Sequence, residues 1–201
     1  MNTLIKNKIT KGQKGFSLPE LVIVLLIISI IVVMALPQVI SSRRLFRFSG
    51  MQRQIVSTLT ETRQAAMSQR TPITFQYDDS TKRISIYGGS FGASGDSRNR
   101  IVELTGSGLE ADEISYGRPA GALTSALSDS SNITALVSNV AKVTFQSDGS
   151  VIDAANAPQN NALFFYDINY PSDMAFAVSV LGAGGRVKIW RYNKNIQLYV
   201  E

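Results

Sequence analysis

Hydrophobic and polar positions divide the chain into three stretches of different period. Residues 21–36, LVIVLLIISIIVVMAL, hold one polar side chain, Ser29, and no charge. With residues 16–20 in front, the run is 21 residues long, about 31 Å as a helix at 1.5 Å per residue and close to the hydrocarbon thickness of a bilayer. From Gln38 to Gln69 the pattern becomes amphipathic: Leu45, Phe48, Met51, Ile55, Leu59 and Ala66 recur at three, four or multiples of them, the stripe of a helix that buries one face. Thr71-Pro72 ends it, because the residue before a proline is pushed out of helical geometry. Beyond Pro72 the period is two.

Residues 73–77 and 82–87 alternate as strands around the turn sequence Asp78-Asp79-Ser80-Thr81, which predicts a hairpin. Residues 88–99 form a glycine- and serine-rich loop without the spacing of a phosphate-binding loop. Residues 100–104 are a further strand, and 105–140 are polar, broken by Gly117, Pro119 and Gly121, and expected to carry only short elements. Asp112 and Glu113 would point to opposite faces of extended backbone and do not make a catalytic pair. Residues 143–151 hold a strand, an Asp-Gly turn and a return strand. Residues 162–166 and 175–181 are apolar strands, Gly182-Ala183-Gly184-Gly185 turns the chain into 186–192, and 196–200 close it. The fold class expected is α+β: a long N-terminal transmembrane and stem helix followed by an antiparallel β-sheet head.

Composition changes this picture in two ways. The net charge of +5 is concentrated at the amino end: four of the 20 Lys and Arg are Lys6, Lys8, Lys11 and Lys14, so the remaining chain sets 16 basic against 15 acidic residues. Behind the apolar run Arg43, Arg44, Arg47, Arg53, Arg63 and Arg70 face Glu61 alone, whereas residues 71–201 hold ten basic and thirteen acidic side chains. Basic groups flank the run on both sides, so charge counting leaves its orientation open. The chain also lacks histidine and cysteine. That excludes a Ser-His-Asp triad, a thiol nucleophile, a thiolate metal site and a disulfide. We expect no enzyme, no catalytic residue, no metal and no cofactor.

Glu20 stands against this apolar background. A carboxylate at the edge of a spanning helix costs about 2–3 kcal/mol unless something pairs with it. One reading places it among headgroups, where it favours the positive end of the helix dipole. The other comes from its surroundings: four lysines lead to Gly15-Phe16-Ser17-Leu18-Pro19-Glu20, and the apolar run follows at once. This resembles the signal of type IV prepilins and type II secretion pseudopilins. The resemblance implies cleavage by a prepilin peptidase between Gly15 and Phe16, methylation of the new amine, and neutralisation of an N-terminal amine by Glu20 during assembly. It also implies a kink or loosening of the helix at Pro37. Organisation would be leader 1–15, transmembrane and filament-core helix 16–37, amphipathic stem 38–70 and β-rich head 71–201. The amino terminus would be cytoplasmic, the single pass in the inner membrane, and the head periplasmic until assembly into a filament. Partners implied are the peptidase, other pilins or pseudopilins, and an inner-membrane assembly platform. The stem arginines are then a solvated or lipid-headgroup face, or alternatively contacts to neighbouring subunits. Two rivals fare worse. A secretory signal needs a small-x-small site that Val33-Met34-Ala35-Leu36 does not offer, and a signal-anchored β domain leaves Glu20 unexplained.

The order of elements, the turn Thr144-Phe145-Gln146-Ser147-Asp148-Gly149 and the glycines leading into Gly185-Arg186-Val187-Lys188 are similar to the GspH/FimT family of minor pseudopilins and minor pilins. That likeness implies a subunit that joins or primes a filament without catalysis of its own. Some FimT-like members bind DNA through a glycine-arginine-x-basic motif. Here Arg186 and Lys188, two apart on a strand with Trp190 next, and Arg191 and Lys194 beyond them, form the candidate DNA-binding group. The alternatives for these residues are edge-strand protection for the charges and core packing for Trp190.

Overall fold

The computed structural model describes residues 15–88, 98–104, 110–122, 126–153, 155 and 157–201. The lysine-rich leader and most of the glycine- and serine-rich loop lie outside them. Helix α1 runs Leu18–Gln69, and the chain divides into two compact units, residues 1–42 and 43–201. In the first unit, Leu21 donates its N–H to the Ser17 carbonyl at 3.1 Å, so the helix is already closed around Pro19, where a missing N–H costs nothing. Leu18–Leu36 has no residue buried and a mean hydropathy of 2.9. Its one neutral polar side chain is satisfied within the helix: the Ser29 hydroxyl lies 2.7 Å from the Leu25 carbonyl and 3.0 Å from that of Leu26, as hydrocarbon surroundings require. The helix does not end at Pro37.

In the second unit the helical stripe is buried from Phe48 onward, whereas Leu45, which the spacing placed in it, is 51% exposed. Phe48, Met51, Ile55, Leu59 and Ala66 are at most 6% exposed. They pack against two sheets. The first has the order β3-β2-β1-β6-β7, from β1 (Ile73–Asp78), β2 (Arg83–Gly88), β3 (Arg98–Glu103), β6 (Val140–Phe145) and β7 (Val151–Ile152). The second has the order β11-β10-β9-β8-β4, from β4 (Ile114–Tyr116), β8 (Asn161–Asp167), β9 (Ala175–Val180), β10 (Val187–Asn193) and β11 (Leu198–Val200), with β5 (Asn132–Ile133) pairing in parallel beside β8. All other pairs are antiparallel. One core joins helix and sheets: Phe48 meets Phe176 edge-on at 5.2 Å and Tyr77 meets Phe165 at 5.0 Å. Side chains of this size contribute about 1.5–3 kcal/mol each when fully buried.

The expected strands are present, with three differences. The head holds two sheets rather than one, because β1 pairs not only with β2 but with β6, Ile73 opposite Phe145, a partnership no local pattern announces. β3 starts at Arg98, inside the stretch read as loop. Asp112 and Glu113 belong to a 3-10 turn, Ala111–Glu113, not to extended backbone. That turn serves an ion-pair network that anchors the start of the second unit. Arg44 donates Nε to Asp167 Oδ2 at 2.9 Å and Nη2 to Glu113 Oε1 at 3.0 Å. Asp167 is fully buried and also accepts the N–H groups of Asn169 and Tyr170 at 2.8 and 3.1 Å. Burial opposes the Arg44 charge, but the Asp167 hydrogen bond and the two carboxylates outweigh it and hold the guanidinium above its ordinary value. Arg44 sits four residues before Phe48 in the buried stripe, and an arginine in that position requires a buried acid.

A second tie lies at the other end of the helix. Gly185, with φ of +57°, approaches the Gly149 carbonyl so closely that any Cβ would collide with it, and the same carbonyl accepts Arg63 Nε at 3.4 Å. Glycine at 185 is thus a packing requirement. Gly149 also has positive φ, +81°, but a Cβ there meets the movable Met67 and Arg63 side chains.

Two predictions follow for urea denaturation of the full chain in detergent. Gly185→Ala should lower stability by about 2–3 kcal/mol, and Gly149→Ala by about 1 kcal/mol, because only the first forces backbone apart. Arg44→Met should cost about 3 kcal/mol by leaving Asp167 buried without its cation, and Arg44→Lys should recover part of the loss, lacking the second hydrogen bond. Equal effects of the two glycine variants, or an Arg44→Met midpoint unchanged from wild type, would contradict these assignments.

Candidate functional site

Gly15, Phe16 and Ser17 precede the helix as exposed, non-helical backbone, and Phe16 is 78% exposed. A peptidase needs an accessible bond, and both residues of the Gly15–Phe16 bond are exposed. Glu20 lies in the first turn of α1, exposed, and is the one charged residue within Leu18–Leu36. Phe16 lies two residues before the helix and Glu20 in its first turn, so the two are close along the chain. A free amine on Phe16, or on a neighbouring chain, would therefore find a carboxylate in apolar surroundings, where the attraction is far stronger than in water.

The basic group at the carboxy end is arranged differently from expectation. Arg186 lies before β10, which begins at Val187, instead of within the strand. Lys188 pairs with Glu201 at 2.9 Å, and Lys194 pairs with Asp173 at 2.5 Å. Arg191 is exposed, but alternation along β10 puts it on the face opposite Lys188 and Trp190. Trp190 is 3% exposed and donates its indole N–H to Ser179 Oγ at 2.8 Å; that hydroxyl in turn donates to Asp129 Oδ2 at 2.6 Å. The ring packs with Leu127, Phe164, Ala177 and Tyr199 on the outer face of the second sheet, with Lys188 Nζ 5.3 Å above it. Lys188 and Lys194 are paired with carboxylates and the Trp190 ring is enclosed, so Trp190 packs in the core and offers no stacking platform. The residues that decide this, Glu201, Asp173, Ser179 and Asp129, are remote in sequence from β10. Only strand pairing brings them close, which is why the sequence pattern did not single them out.

Acid–base chemistry has little to work with elsewhere. Burial pushes the phenols of Tyr77 and Tyr116 well above their ordinary range, and they donate to Asp79 and to the Thr134 carbonyl. Among the described residues no three His, Cys, Asp or Glu side chains gather as metal ligands. A shallow groove along the helix, lined by Glu61, Thr62, Ala65, Gln69, Ile73, Ile86 and Arg100, is bridged by the Arg100–Glu61 ion pair.

Comparison with known proteins bears on the amino end first. Residues 10–36 match the prokaryotic N-terminal methylation motif. No curated protein matches the sequence. Among solved structures, the type IV minor pilin FimU of Pseudomonas aeruginosa is similar at 19% identity, covering 71% of this chain and 87% of that one with a TM-score of 0.45. A second crystal form of FimU gives 18%, 70%, 90% and 0.43. The minor pseudopilin EpsH from the type 2 secretion system of Vibrio cholerae is similar at 12% identity, covering 68% of this chain and 90% of that one with a TM-score of 0.38. With the methylation motif at the head of an exposed apolar helix and an antiparallel β domain behind it, the chain is type IV pilin-like.

Proposed function

We propose that this chain is a minor pilin or pseudopilin of the GspH/FimT type. It is made as a prepilin, cut by the prepilin peptidase between Gly15 and Phe16, and methylated on the Phe16 amine. It rests in the inner membrane with its amino terminus cytoplasmic and residues 43–201 periplasmic. From there it joins other pilins or pseudopilins on the assembly platform, to build or prime a type II secretion pseudopilus or a type IV pilus. The observation that carries this reading is the coincidence of the motif at 10–36 with a helix that exposes every side chain of Leu18–Leu36 and carries Glu20 as its one charge. Such a helix suits lipid before assembly and a bundle of like helices after it. Glu20 then meets the Phe16 amine of a neighbour as both leave water. Pro37 removes one ladder hydrogen bond and is the point at which the helix can bend on packing.

Mass and N-terminal sequence of the protein from its native membrane should give a chain that starts at methylated Phe16. A chain that starts at Met1, or is cut beyond Leu36, overturns the proposal. Glu20→Ala should still be cleaved, while its recovery in filaments or with partner subunits falls about 100-fold or more, since an amine buried without its carboxylate costs about 3–5 kcal/mol. Undiminished recovery of Glu20→Ala would mean that the carboxylate serves only the helix dipole.

A further inference from the structure

We propose that the outer edge of β10 at Val187 to Ile189 receives an extended segment of another protein, added in line with β11, whose side chains alternate between apolar and acidic. This uses the second unit alone and goes beyond the assembly reading above. The open edge follows from the ladder. Leu181 donates its N–H to the Arg186 carbonyl at 3.0 Å, and that pair continues the register in which Val180 faces Val187 and Ser179 faces Lys188. Hydrogen-bonded pairs alternate along an antiparallel ladder. Lys188 and Trp190 therefore turn their backbone groups toward β9, and Val187, Ile189 and Arg191 turn theirs away. β11 takes up that outer side only from Arg191 to Asn193. The N–H and C=O of Val187 and Ile189 are thus left without a strand partner among the described residues.

Side chains select the occupant. Phe176 and Val178 on β9 are buried in the main core, but their partners across the ladder, Arg191 and Ile189, are exposed. Ile189 is 36% exposed, and Val200, opposite Arg191 on β11, is 39% exposed. The apolar face of the second sheet thus runs past its cover at this edge, and a strand laid beside Val187 and Ile189 would shield it. Charge decides the rest. Arg186 and Arg191 bracket the edge, both exposed and without an acidic partner among the described residues. Lys188 lies between them, engaged by Glu201 from the β11 side. A carboxylate opposite Lys188 would stand within diagonal reach of Arg186, whereas a basic segment would meet like charge. The same rule disfavours a second copy of this chain, because pairing of two β10 edges across a two-fold axis sets Lys188 opposite Lys188 or opposite Arg186. Strand addition of this kind draws affinity from the backbone and choice of partner from the alternate side chains.

Hydrogen exchange of the full chain in detergent, followed amide by amide by NMR, tests both the edge and its occupant. In the free chain Val187 and Ile189 should exchange about tenfold or more faster than Lys188 and Trp190, whose N–H groups face β9. The probe is the blocked peptide Val-Glu-Val-Glu-Val, which at saturation should slow Val187 and Ile189 by about tenfold. A peptide with lysine in place of glutamate should bind about tenfold more weakly, and Arg186→Glu should weaken the acidic peptide about fivefold. Ile189→Pro removes an outward N–H without breaking a bond to β9, so the emission of Trp190 should stay native while protection of Val187 by the peptide is lost. Slow exchange at Val187 and Ile189 in the free chain would show the edge already covered and overturns the proposal. Exchange unchanged by the acidic peptide at millimolar concentration overturns it too, as does equal binding of the lysine peptide. Protection that rises with protein concentration alone would assign the edge to a second copy, and protection by a duplex oligonucleotide equal to that by the peptide would assign it to phosphate; either result overturns it.

Discussion

A single helix has to satisfy two different surroundings, and the rest of the molecule depends on that constraint. Residues 43–69 of α1 find cover in the protein's own sheets, with Met51, Ile55, Leu59 and Ala66 at 0% exposure. Leu18–Leu36 finds none. More than a dozen large apolar side chains are about half exposed there, and at about 1.5–3 kcal/mol for each full burial the unmet gain is on the order of tens of kcal/mol. A domain of this size is stable by about 5–15 kcal/mol. Folding of residues 43–201 leaves that surface unchanged, and its length and hydropathy suit it to lipid or to a bundle of other helices.

How much of this was legible in the sequence follows from the range of each interaction. The helix stripe and most strand positions were readable because side-chain period and turn chemistry are local: the Asp78–Thr81 turn, the Asp148-Gly149 turn and the 182–185 turn all fall where expected. The division into two sheets was not, because the pairing of β1 with β6 joins segments about 70 residues apart and both edges of β1 look alike in sequence. Likewise β8 and β9 read as continuous apolar runs, and only the structure shows why. One face lies in the main core with Phe165, Phe176 and Val178, and the other is covered by the Leu127 segment.

At the carboxy end the same limit acts on charge. Arg186, Lys188, Arg191 and Lys194 form a basic cluster when read along the chain, but ion pairs are made across strands. β11 delivers Glu201 to Lys188, and the turn before β9 delivers Asp173 to Lys194. Exposed pairs of this kind contribute little to stability, about 0–1 kcal/mol. Their effect on phosphate binding would be larger, because together they occupy two of the four cations, and affinity for a phosphate backbone is set by the number of cations it can engage. Arg44 shows a second such case: read with the other stem arginines as a solvated, headgroup or subunit-facing residue, it instead pairs with Asp167 and Glu113 of its own chain, partners equally hidden in the sequence.

Glu20 brings the two ends of the argument together. Stabilisation by the helix dipole is worth about 0.3–1 kcal/mol at an exposed terminus, less than the roughly 2–3 kcal/mol cost of a carboxylate at the edge of a span. The dipole reading therefore leaves a net penalty. An amine created by cleavage at Phe16 exists only afterwards, four residues away or on a neighbouring chain, and its pairing with Glu20 strengthens as water is withdrawn. Under the proposed function, a carboxylate held at a net cost in the uncleaved chain and matched by the amine that cleavage produces would couple processing to assembly.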